Sequence, residues 1–119
     1  LFSFMCRQKE VFFVVGVDVD LRKGSPTFGR YVAVELSDEN KRQFFIPQGF
    51  AHGFHVMSEE AVFTYKVDNP YMPDHERGLR FDDPEVGVDW KIADPSVLNL
   101  SDKDRNAPLL RDAELNFKL

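Results

Sequence analysis

The sequence predicts an all-β fold: an antiparallel sandwich or small barrel, taken as a jelly-roll barrel, with an irregular C-terminal segment and one short helix. Three observations point there. Apolar and polar residues alternate with period two down the first two thirds of the chain. Roughly five or six such runs recur at about ten-residue spacing, as in antiparallel sandwiches and barrels. None of them carries the 3.6-residue periodicity of an amphipathic helix. With 119 residues, 43% of them hydrophobic, the chain reads as one domain spanning 1–119, large enough for one core and too small for two.

Residues 1–13 alternate poorly and begin abruptly on apolar side chains, so they stand apart and read as a truncated or altered N-terminus. Val15, Val17 and Val19 then alternate with Gly16, Asp18 and Asp20, the pattern of a half-buried strand. Arg22-Lys23-Gly24-Ser25-Pro26-Thr27-Phe28-Gly29 is a turn by its Gly, Ser and Pro content, and 31–36 resumes a β-branched and aromatic run. Ser37-Asp38-Glu39-Asn40 is a second turn signal. Residues 42–46 form a short strand stopped by Pro47 and Gly49. Residues 52–57 and 61–67 form two more, joined as a hairpin across the polar Ser58-Glu59-Glu60. Beyond Asn69 the pattern breaks: Pro70, Pro73, Pro84 and Pro95 argue for irregular chain laid over the barrel. A helix over 102–115, capped by Ser101 or Asp102, is interrupted or restarted at Pro108.

Composition excludes several classes. Fifteen basic against twenty acidic residues give a net charge of −5, and no block of five or six like charges occurs, so a nucleic-acid groove and a membrane patch are disfavoured. The longest apolar run falls far short of the about 20 residues a membrane helix needs. No cleavable signal pattern is present, which fits a soluble, cytoplasmic protein. Cys6 is the only cysteine, leaving no intrachain disulfide and no multi-cysteine zinc site.

The chemistry concentrates in Ile46-Pro47-Gln48-Gly49-Phe50-Ala51-His52-Gly53-Phe54, where one histidine sits between two glycines and two phenylalanines. His52 is either a buried structural imidazole or part of a small-molecule site. His52, His55 and Glu59 superficially resemble a metal set, but strand parity sends His52 and His55 to opposite faces, and His75 lies in a polar loop, so no metal site is expected. Tyr65 shares parity with Ala61 and Phe63, an apolar face expected to point inward, where a phenol needs a partner. Tyr71 and Glu76 lie on a proline-fixed loop beyond it, and Lys103 and Asp104 at a helix start. On composition alone these four are ordinary loop and surface residues.

Taken in order, the Asp20 to Gly29 turn, Val34-Glu35-Leu36-Ser37-Asp38-Glu39-Asn40-Lys41-Arg42-Gln43, the 46–54 stretch, Tyr65-Lys66, Glu76-Arg77-Gly78, Asp82-Asp83-Pro84 and Leu100-Ser101-Asp102-Lys103-Asp104 closely resemble dTDP-4-dehydrorhamnose 3,5-epimerases, over about residues 14 to 111. The resemblance implies a cupin-like jelly roll, a homodimer, and action on a dTDP-keto-sugar with neither metal nor organic cofactor. It implies that Tyr65 is the general acid, that His52 contacts substrate, and that Tyr71 stacks on the thymine. It further implies that Glu76 and Lys103 contact the nucleotide sugar and that Asp104 orients and charges the catalytic base.

Such an enzyme removes the protons at carbons 3 and 5, beside the ketone at carbon 4, and returns them on the opposite face to give dTDP-4-dehydro-L-rhamnose. The family's base is a histidine in a Gly-Leu-His-Tyr-Gln-like segment well upstream of the Asp20 turn, and residues 1–13 contain none. Lys9 or Arg7 could replace a nearby family cation, and His52 is the pocket histidine available to stand in for the base. The alternatives are a non-catalytic nucleotide-sugar-binding cupin lacking that base, or a mono-epimerase or ketoisomerase of dTDP-keto sugars.

Overall fold

The unbroken apolar run at Phe13-Val14-Val15, continued by Val17 and Val19, has no polar side for water and so seeds a strand covered on both faces. The computed structural model describes residues 2–3, 13–68, 70, 72, 74 and 76–117. Its strands are β1 (Phe2–Ser3), β2 (Phe13–Asp20), β3 (Tyr31–Ser37), β4 (Phe50–Val56) and β5 (Thr64–Tyr65). β2 is central in a three-stranded antiparallel sheet of order β3-β2-β4, and β1 and β5 form a separate antiparallel ladder. The register sets Val17 opposite Ala33 on one side and Gly53 on the other, and Asp18 opposite Val32 and His52. Regular structure among the described residues is mostly strand with one short helix, α1 (Asp102–Arg105). None of their helices is long and apolar enough to cross a membrane.

The turn between β2 and β3 is built on one carboxylate. Asp20, 1% exposed, accepts hydrogen bonds from the Arg22 guanidinium at 2.9 Å and from the hydroxyls of Ser25 and Thr27, each at 2.6 Å. It also accepts from the Arg22 backbone N–H at 3.0 Å. The Arg22 hydrogen bonds, outweighing burial and helped by Ser25 and Thr27, hold the Asp20 carboxyl far below the usual carboxylate range. Gly49 enters β4 at φ +88°, where its carbonyl accepts from Leu21 N–H, and a Cβ would lie 2.5 Å from Arg22 Cγ.

Several expectations are corrected. β2 is not half-buried: Gly16, Asp18 and Asp20 are as covered as the valines, because strands flank β2 on both sides and both faces carry packed chain. The strand expected over 42–46 shrinks to an isolated bridge at Phe44, since Asn40 Oδ1 takes the Arg42 N–H at 3.0 Å and Pro47 follows closely. The strand expected over 61–67 is confined to Thr64–Tyr65, and its hairpin with β4 does not form. Instead the N–H groups of Met57 and Ser58 both bond the Phe13 carbonyl, and Phe13 N–H bonds the Ser58 hydroxyl at 3.1 Å. The chain after β4 is thereby held to β2 rather than turned back on itself.

The helix expected over 102–115 closes after one turn. Ser101 caps it, accepting the Asp104 N–H at 3.1 Å, and a separate 3-10 turn forms at Leu110–Asp112. Pro108 lies between them with no N–H to give, and its carbonyl is taken by Arg80 N–H at 2.8 Å. Irregular chain does cover the sheet, as expected: residues 79–90 lie over it, anchored by buried Asp83, whose carboxylate accepts Leu110 N–H at 2.6 Å and Glu85 N–H at 2.9 Å.

Candidate functional site

The two faces of the β3-β2-β4 sheet differ in chemistry. On one, Val15, Val17 and Val19 form an apolar cluster with Tyr31, Ala51, Leu79, Val86, Val88 and Trp90. The Trp90 indole lies so close over Gly53 that a Cβ there would meet it at 2.8 Å, and its Nε1–H donates to the Phe81 carbonyl at 2.7 Å. His55 belongs to this face, donating from Nδ1 to the Trp90 carbonyl at 2.7 Å. It ties irregular chain to β4. A recess lined by Phe81, Asp83, Val88 and Trp90 lies in this covering segment; it includes the Asp82-Asp83-Pro84 motif but none of the candidate catalytic or substrate-binding residues.

The opposite face carries Val14, Gly16 and Asp18 of β2 beside Phe50, His52 and Phe54 of β4. Asp18 is 4% exposed, and its Oδ1 accepts a hydrogen bond from His52 Nδ1 at 2.6 Å. Phe44 meets the His52 ring edge-on, with centroids 6.1 Å apart, and packs over Gly16, where a Cβ would lie 3.0 Å from its ring. The His52 side chain is 17% exposed. The Phe54 ring lies 4.1 Å from that of Phe63, which brings β4 against the segment leading into β5. The opposite orientations of His52 and His55 follow strand parity, as the sequence predicts.

Tyr65 departs from expectation. It is 62% exposed rather than turned into an enclosed interior: among the described residues its ladder is two residues long and two strands wide. Glu76 and Lys103 come together as an ion pair between Glu76 Oε2 and Lys103 Nζ. Asp104 stands on α1 at the exposed surface. Separately, the carboxylate bonded to His52 is Asp18, 34 residues before that histidine in sequence. Tyr71, along with His75, Arg7 and Lys9, lies outside the described residues.

Sequence reasoning missed Asp18 by reading its alternation with the valines as a solvent-facing position. The available signal was the continuous apolar run just before it, which marks a strand buried on both faces. A carboxylate on such a strand requires a bonded partner across the sheet.

A small antiparallel sheet, sealed by apolar chain on one side and bearing a histidine–carboxylate pair among aromatic rings on the other, defines a strand scaffold with a candidate small-molecule face. The family model for dTDP-4-dehydrorhamnose 3,5-epimerase matches residues 6–112, and the chain belongs to that family. The match begins ahead of the motifs that first carried the resemblance.

Among its relatives, the dTDP-4-dehydrorhamnose 3,5-epimerase of Pseudomonas aeruginosa is 52% identical over 101 residues, covering 85% of this chain and 55% of that protein. That of Methanothermobacter thermautotrophicus is 48% identical over 99 residues, covering 83% and 54%. Among solved structures, the dTDP-6-deoxy-D-glucose-3,5-epimerase of Legionella pneumophila, in complex with dTDP-4-keto-L-rhamnose, superposes with a TM-score of 0.82 at 42% identity. It covers 92% of this chain and 63% of that one. The chain thus spans about half the length of the curated relatives it matches.

Proposed function

We propose that this chain acts in a dTDP-keto-sugar epimerase that inverts carbons 3 and 5 of dTDP-4-dehydro-6-deoxy-D-glucose to give dTDP-4-dehydro-L-rhamnose. It does so as a single-domain, cupin-like jelly roll, in a cytoplasmic homodimer. The observation that carries this reading is the family match across residues 6–112. The bonded His52 on the face opposite the apolar cluster supports it, since a ring held in one orientation is what substrate contact requires.

The ketone makes the chemistry accessible. Loss of the proton from carbon 3 or 5 leaves an enolate, whose charge spreads onto the carbonyl oxygen, and delivery of a proton to the other face inverts the centre. Tyr65 supplies that proton from its phenol, while Glu76 and Lys103 contact the nucleotide sugar and Tyr71 stacks on the base. Asp104 belongs to the base side of the exchange. An acidic chain can still hold an anionic diphosphate, because local cations and stacking outweigh net charge at close range.

Two measurements test the reading. Calorimetry with thymidine diphosphate should give saturable binding, and the keto sugar incubated with the protein in deuterium oxide should take up deuterium at carbons 3 and 5. Nucleotide binding without uptake would select the non-catalytic cupin, and uptake at one carbon alone the mono-epimerase. Failure of both would remove the nucleotide sugar from the account.

A further inference from the structure

We propose that Arg77 is a positioning residue, through which the C-terminal segment at Glu114 orients the loop whose Glu76, with its partner Lys103, meets the nucleotide sugar. The inference rests on the reading that Glu76 and Lys103 contact that substrate, and it adds what aims them. Residues 76–80 form no strand or helix, so no sheet ladder fixes the direction of Glu76. A side chain does so instead.

Arg77 Nη1 donates to the Glu76 carbonyl at 2.9 Å and to the Asp74 carbonyl at 3.4 Å, which curls the loop around one planar cation. Its Nε donates to Glu114 Oε2 at 2.8 Å. Because a guanidinium carries its N–H donors in a rigid fork, the loop carbonyls and the carboxylate are set at fixed angles to one another. Glu114 in turn stands on anchored chain. Before it, Leu110 N–H is held by buried Asp83, and after it the Phe117 carbonyl accepts the Lys23 N–H of the β2–β3 turn at 2.9 Å. Arg77 thus ties the loop to a segment fixed to the sheet at both ends.

The same loop lies along the chain that carries Lys103. Glu76 Oε2 accepts from Lys103 Nζ on α1, a Cβ at Gly78 would lie 3.4 Å from Ala107 Cβ, and Arg80 N–H donates to the Pro108 carbonyl at 2.8 Å. Residues 76–80 and 103–108 therefore run side by side, and a shift of the loop separates Glu76 from Lys103. Stability is not what the Arg77–Glu114 pair supplies: the two side chains are 57% and 79% exposed, and ion pairs so open to water add little to folding. Orientation is. A misdirected binding group weakens the hold on ground state and transition state alike, which raises KM and spares kcat.

The test is a double-mutant cycle over Arg77→Ala, Glu114→Ala and the two combined. It is read by calorimetry with thymidine diphosphate, by KM and kcat for epimerisation of the keto sugar, and by the thermal midpoint. Each single variant should weaken nucleotide binding and raise KM by about 10-fold, with kcat held within about threefold and the midpoint unmoved. The double variant should be no worse than either single one, since both remove the same link. Arg77→Lys, which keeps the charge without the fork, should behave like Arg77→Ala.

If Arg77 instead touched the diphosphate directly, Glu114→Ala would leave binding intact or tighten it, and Arg77→Lys would restore it; either result overturns the proposal. So do wild-type KM and binding in Arg77→Ala, or a loss of binding that follows a lowered thermal midpoint. Those failures leave the epimerase reading standing. If the wild-type protein binds no thymidine diphosphate, that reading fails and the positioning role falls with it.

Discussion

Asp20 gathers the Arg22 guanidinium and two hydroxyls around a carboxylate that water scarcely reaches, so its charge is stabilised only in the folded chain. Its folded pKa is depressed, chiefly by Arg22. The stabilisation is therefore complete above the unfolded carboxylate value of about 3.9 and is lost as pH falls below it. Asp20→Asn should cost about 2 kcal/mol at neutral pH, and denaturant titrations should show the gap to wild type narrowing below about pH 4. A constant gap from pH 7 to pH 2 would mean that shape, not charge, is what the turn requires. The Asp20 turn was legible in sequence as Gly, Ser and Pro punctuation, but its hub was not, because three donors converge from positions two, five and seven residues on. His52 was legible as a residue of interest. Its partner Asp18 was not, since alternation shows which side chains share a face but not whether that face is covered.

At the scale of elements, β4 is held from both sides: on one by the Asp18–His52 bond, on the other by Trp90 seated over Gly53. Gly53→Ala places a methyl group 2.8 Å from the indole of a ring whose own N–H is fixed to Phe81. The substitution should destabilise the fold by about 1–3 kcal/mol, read as a lower thermal midpoint together with a change in Trp90 fluorescence. An unchanged midpoint would show that the indole moves freely. The positions of β2, β3 and β4 could be read from β-branched runs between turns. Their pairing could not: proximity in sequence suggested a hairpin after β4, whereas Ser58 carries the chain back to Phe13, 45 residues away. Likewise Ser101 and Pro108 marked the start and the interruption of the helix, but the need of Asp83 for the Leu110 N–H, which recruits the second segment into a 3-10 turn, depends on a contact 27 residues distant.

For the whole molecule, the three-stranded sheet has one sealed face and one polar, aromatic face. Phe54 and Tyr65 are more than half exposed, and a second copy would cover such surface. The proposed homodimer predicts a sedimenting species of twice 13.8 kDa. A species of single mass at micromolar concentration would remove it. The family was legible because many short motifs occur in order. The enclosure of Tyr65 was not, because parity assumes a long strand and β5 is two residues long. In the proposed reaction this chain moves protons beside a sugar ketone with Tyr65 as donor. The most direct test is deuterium uptake at carbons 3 and 5 of the dTDP-keto sugar, compared between wild type and Tyr65→Phe. The account predicts uptake in the wild type and, in the variant, epimerised product reduced by at least about 100-fold with thymidine diphosphate binding retained; equal product from both proteins would contradict it.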